Sequence, residues 1–142
     1  MKRIRTYIYG LMGAIIICAP LLILYQYIPL ADRGGSLSYN LLLPICFIAL
    51  CGNFMEETLF RGYAQGYFEK YSSPIKAAVL SGILFAVGHI FLASTVTDLG
   101  MVLLGFTLYE GLICAFVRMK HGVLASTISH GMAIFILSSG LF

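Results

Sequence analysis

Between residues 6 and 55 the chain carries only two charged residues, the adjacent Asp32 and Arg33. So long an uncharged stretch cannot coat a water-soluble surface. It does suit two passes through a hydrocarbon layer, each needing about 20 apolar residues. The composition agrees: 60% of the 142 residues are hydrophobic and 11% charged, against about 25% charged in an ordinary soluble domain. The net charge of +3 is too small and too scattered to track a phosphate backbone, so a nucleic-acid binder is excluded as well. In lipid the backbone must satisfy its own hydrogen bonds, which leaves an all-α polytopic membrane helix bundle.

Polar breaks divide the chain into about five transmembrane helices. Crossings are expected at residues 7–27, from 41 or 44 to 68, 75–93, 99–117 and 123–141. Residues 1–40 then form an N-terminal transmembrane helix with its outer loop, and 41–142 a core of about four helices. The first apolar run lacks a small-x-small cleavage site and reads as an uncleaved helix. Lys2, Arg3, Arg5, Arg61, Lys70, Lys76, Arg118 and Lys120 fall on one side of the membrane and only Arg33 on the other. That excess predicts a cytoplasmic N-terminus. Tyr7, Tyr9, Tyr25 and Tyr27 bracket the first helix as an aromatic belt. The four cysteines, Cys18, Cys46, Cys51 and Cys114, form no CxxC pair and read as small buried hydrophobes.

Ionisable groups in hydrocarbon are costly unless paired or hydrated, so those inside the crossings are candidates for function. They are Glu56, Glu57, Arg61, His89, Glu110 and His130. Successive helical residues diverge by about 100°, so Glu57 and Arg61 at i,i+4 share a face and predict an ion pair, while Glu56 points elsewhere. Glu56 lacks a local counter-charge and is the better candidate to take and return a proton. Glu56, His89 and His130 are expected near mid-membrane in one cavity, where they could activate water directly or on a metal. Hydrolysis is the natural reaction. No HExxH motif is present to place two imidazoles on one helix face.

Glu56, Glu57 and Arg61 fit EExxxR, Phe85 and His89 fit FxxxH, and small residues lead up to His130. Over residues 45–137 the chain resembles the CPBP intramembrane proteases, the group of type II CaaX prenyl endopeptidases and bacteriocin-processing or Abi proteins. The resemblance implies that Glu56 and His89 activate water against a peptide bond, that Glu57 and Arg61 support the site, and that His130 stabilises the oxyanion. It leaves both glutamic and metallo chemistry open. The metal-free form is favoured; a divalent metal such as zinc, if used, would fall to Glu56, His89 and His130. The pattern usually continues as HxxxN or HxxxD, but Ile134 stands at that last position. Asn53, on a face close to Glu56, is a weak candidate to replace the lost donor. Otherwise Asn53, Ser126 and Ser129 make helix–helix hydrogen bonds. Glu110 lies outside the motifs and reads as a paired or hydrated structural acid.

The leading expectation is thus an intramembrane endopeptidase whose partners are the lipid bilayer and a peptide or protein substrate. Its compact size points to a bacterial inner (plasma) membrane. The alternatives are a non-catalytic, Abi-like immunity protein, which the residue at 134 favours, and a small proton-coupled transporter using Glu56, Glu110 and the histidines.

Overall fold

The computed structural model describes residues 2–33, 37–96 and 100–141. Among these residues there are five long helices and no strand: α1 (Lys2–Tyr25), α2 (Tyr39–Phe68), α3 (Pro74–Gly88), α4 (Gly100–His121) and α5 (Val123–Ser138). Helix α2 widens into a π-type turn over Thr58–Ala64, and α3 is followed by another over Leu92–Val96. Among the described residues four segments are long and apolar enough to cross a membrane, namely α1, α2, α4 and α3 extended as Pro74–Thr95. The protein is an all-α membrane bundle.

Helix α5, with 16 residues, falls short of that length, and it ends at Ser138 rather than at 141. At 1.5 Å per residue it spans roughly 24 Å, less than the roughly 30 Å hydrocarbon layer. It occupies the middle of the bundle, packed on α1, α2 and α4. Small residues make that possible. Ala125, Ser126, Ser129, Gly131 and Ala133 are all buried. A Cβ on Gly131 would lie 2.8 Å from the Leu50 side chain and 3.0 Å from its Cα, so only glycine lets α2 approach this closely.

Local sequence sets the helix ends. Pro74 occupies the first turn of α3 and Ser73 caps it, accepting from the Lys76 amide at 3.4 Å. A single residue, Gly122, links α4 to α5 at φ +86°, where a side chain would be strained. Pro20 lies inside α1 and cannot donate to the carbonyl of Ile16. That carbonyl instead accepts from the Tyr109 hydroxyl on α4 at 2.7 Å. The lost backbone bond thereby becomes a tie between helices.

Cys18 and Cys114 are buried, Cys18 within a core cluster with Ala14, Ile17 and Ala133, as small hydrophobes would be. Cys51 departs from that expectation: it is exposed on α2, and Cys46 is only partly covered.

Candidate active site

Four helices bring the ionisable residues together. Helix α2 supplies Asn53, Glu56, Glu57 and Arg61, α3 supplies Phe85 with His89 just past its end, α4 supplies Glu110, and α5 supplies His130. The widened turn begins immediately after Glu57 and contains Arg61. Such π-type turns recur at functional sites because the extra residue resets the direction of the side chains that follow.

Glu57 and Arg61 are both fully buried, with Nε 3.3 Å from Oε2. The contact is an ion pair without hydrogen-bond alignment at Nε. The guanidinium gains a further anchor from Nη2, which donates to the Gly111 carbonyl at 2.9 Å, and lies 4.2 Å over the Phe85 ring. The hydroxyl of Ser126 lies against Glu57 Oε2 and also 2.9 Å from the Cys114 carbonyl, its single proton serving one of the two. On its other oxygen Glu57 meets His130 Nδ1 at 3.0 Å. His130 Nε2 then faces Glu110 Oε1 at 3.8 Å, and that oxygen has no hydrogen-bond partner. Glu110 is 4% exposed, buried beside an imidazole as a paired acid would be.

A second pair is more open. His89 Nε2 lies 3.8 Å from Glu56 Oε2, with side-chain exposures of 21% and 42%. His89 Nδ1 is 2.8 Å from the Phe85 carbonyl. A carbonyl can only accept, so Nδ1 carries the proton, and in the neutral ring Nε2 offers its lone pair towards Glu56. Phe85 touches both imidazoles, its ring centre 4.4 Å from that of His89 and 5.4 Å from that of His130. The structure therefore places Glu56 with His89, and His130 with Glu57 and Glu110. Asn53 is buried and donates to the Ala49 carbonyl of its own helix at 2.7 Å. Ile134 lies one turn beyond His130, partly buried.

One further grouping bears on metal chemistry. Glu57, Cys114 and His130, all buried, bring one potential ligand atom each within 4.8 Å of one another. These are oxygen, sulfur and nitrogen donors of the kind zinc accepts. Of the residues expected to hold a metal, only His130 belongs to this set.

Two contributors did not stand out in the sequence as parts of a site. Ser126 is four residues before His130, and Cys114 four residues after Glu110. Each therefore shares a helix face with an ionisable neighbour, a spacing that could have identified both.

No curated protein and no solved structure gives a match to this chain. A family model does: type II CAAX prenyl endopeptidase Rce1-like, over residues 38–136. The matched stretch takes in α2 to α5 almost entirely, with every ionisable residue of the two pairs and Glu110. On that match the chain belongs to the Rce1-like family of CAAX-type proteases.

Proposed function

We propose that this protein is an intramembrane endopeptidase that cuts a membrane-presented peptide or protein using water activated between Glu56 and His89. The observation carrying this reading is the 3.8 Å separation of Glu56 Oε2 and His89 Nε2, which in the neutral ring with Nδ1 donating to Phe85 is an acceptor. Two acceptors facing each other repel unless a donor lies between them, and a water molecule has two hydrogens to give. Glu56 would take one proton as the oxygen attacks the carbonyl carbon and return it to the leaving amine as the C–N bond breaks, with His89 orienting the attack. Glu57 fixes the His130 ring through Nδ1, and the developing oxyanion would meet Nε2 by taking the place of its 3.8 Å contact with Glu110. Asn53 retains a second amide hydrogen and stays a weak candidate for the same oxygen.

The reading is metal-independent. If a zinc ion were bound, Glu57, Cys114 and His130 would hold it, and it would polarise a carbonyl or activate water. Two features weigh against that. Both Glu57 oxygens already serve His130, Arg61 and Ser126. The three donors are also between 0% and 3% exposed, so a water on such a zinc would have to enter a buried site. The basic excess further supports a cytoplasmic N-terminus, in which case a Ser72→Cys variant should be labelled only from the cytoplasmic side. The residue at 134 favours a second reading, a non-catalytic Abi-like immunity protein that keeps the fold.

Reconstituted protein should cleave members of a quenched-fluorescent peptide library offered with and without a C-terminal prenylcysteine. Glu56→Gln should lower the rate by about 10² or more while leaving thermal unfolding unchanged. Equal rates for the two proteins would remove Glu56 from the chemistry. No cleavage by either would favour the non-catalytic reading.

A further inference from the structure

At the end of the bundle where α1 begins, α1, the first turn of α3 and the last turns of α4 leave an apolar groove of about 630 Å³. Its walls include Met12, Ile16, Ile75, Ile113 and Phe116. It runs into a polar recess of about 430 Å³ formed by Arg5, Thr6, Tyr9, Lys120 and His121, and Tyr9, Lys120 and His121 line both. Tyr9 and His121 stack with ring centres 3.8 Å apart and planes within 11°, building the lip between the two spaces.

Among the described residues no glutamate compensates the charge at this mouth. The glutamates are engaged elsewhere: Glu56 with His89, Glu57 with Arg61 and His130, Glu69 with Arg118, and Glu110 with His130. Arg5 and Lys120 are exposed and pair with none of them. A slot with apolar walls and a cationic mouth, at the end of a membrane bundle, matches an anionic amphiphile.

We propose that this groove binds an anionic phospholipid, with one acyl chain along the apolar walls and the phosphate among Arg5, Lys120 and His121. Charge decides the occupant. A zwitterionic lipid would bring its own cation to a positive mouth. A second copy of this chain, packed in the same orientation through a two-fold contact, would set Arg5 and Lys120 against their own counterparts. Neither difficulty arises for a phosphatidylglycerol-type headgroup. The site lies apart from Glu56 and His89 and does not depend on the proposed proteolysis.

The test is native mass spectrometry of the full chain in mild detergent. The protein is titrated with phosphatidylglycerol, with phosphatidylcholine of the same acyl chains, and with inorganic phosphate. Phosphatidylglycerol should be retained in preference. Arg5→Ala and Lys120→Ala should each weaken that retention roughly five-fold and leave phosphatidylcholine unaffected. Ile16→Trp, at a half-exposed groove position, should displace the lipid with no change in thermal unfolding. Equal retention of the two lipids, or indifference to the Arg5 and Lys120 substitutions, would overturn the proposal. Inorganic phosphate displacing phosphatidylglycerol at equal concentration would leave only an anion site, and a dimeric mass lost on Ile16→Trp would assign the groove to a second copy.

Discussion

His130 Nδ1 and Glu57 Oε1 meet at 3.0 Å with the two side chains 3% and 0% exposed. The same carboxylate pairs with Arg61, whose guanidinium reaches across to the Gly111 carbonyl of α4. One buried carboxylate thus neutralises a cation, orients an imidazole and ties three helices together. Its sequence neighbour Glu56, half-exposed beside His89, bears none of that structural burden.

The two glutamates should therefore separate stability from chemistry. Glu57→Ala leaves Arg61 buried without its counter-charge and should cost about 3–5 kcal/mol. Glu56→Ala removes a partly exposed partner and should cost about 1 kcal/mol or less. Reversible unfolding in mixed micelles of increasing SDS content measures both. Similar losses for the two variants would show that the burial difference does not govern the pair.

Glycine positions offer a sharper contrast. A Cβ at Gly131 would press on the Leu50 side chain at 2.8 Å and on the Leu50 Cα at 3.0 Å, whereas one at Gly52 would meet nothing within 4 Å. Gly131→Ala must push α2 away from α5 and should destabilise by about 1–3 kcal/mol. Gly52→Ala, on the exposed face of α2, should stabilise by up to about 1 kcal/mol through helix propensity. The same unfolding assay reads both signs, and a tolerated Gly131→Ala would mean that the two helices can separate freely.

Much of this arrangement was legible in the sequence, because a few short-range rules govern it. Apolar run lengths located the helices, and the i,i+4 spacing put Glu57 and Arg61 on one face, where they lie 3.3 Å apart. Partner choice between helices was not legible from spacing alone, although the family resemblance put Glu56 with His89, which lie 3.8 Å apart. Which histidine meets which glutamate depends on how α3 and α5 are rotated against α2, and a one-residue spacing at Glu56 and Glu57 does not encode that. The widened turn after Glu57 was equally hidden, since nothing in the composition of residues 58–64 announces an extra residue per turn. Cys114 and Ser126 passed as packing residues because small polar side chains serve both ends in a membrane bundle.

The tie between Pro20 and Tyr109 can be measured as a coupling. Tyr109→Phe deletes the donor to the Ile16 carbonyl and should cost about 0.5–1.5 kcal/mol. Pro20→Ala supplies a backbone N–H to the same carbonyl, so Tyr109→Phe should cost distinctly less in that background. A double-mutant cycle isolates the difference. Strict additivity would mean that the hydroxyl does not replace the missing backbone bond.

The last prediction concerns Cys114, where the two chemistries diverge. A metal held by Glu57, Cys114 and His130 would need the sulfur, so Cys114→Ala would abolish zinc binding and cleavage together. In the metal-independent reading the residue only fills space against Ser126 and the core cluster. Cys114→Ala should then cost about 1 kcal/mol of stability and leave the rate within a few-fold of the parent. Elemental analysis of the purified protein, with peptide cleavage before and after chelation, follows both quantities on one sample. Stoichiometric zinc lost in step with activity would overturn the glutamic mechanism. A companion variant, Ile134→Asn, restores a hydrogen-bond donor one turn from His130 and should raise the rate, by as much as roughly 10²-fold if that donor reaches the oxyanion. An unchanged rate would mean that position 134 faces away from the reacting carbonyl.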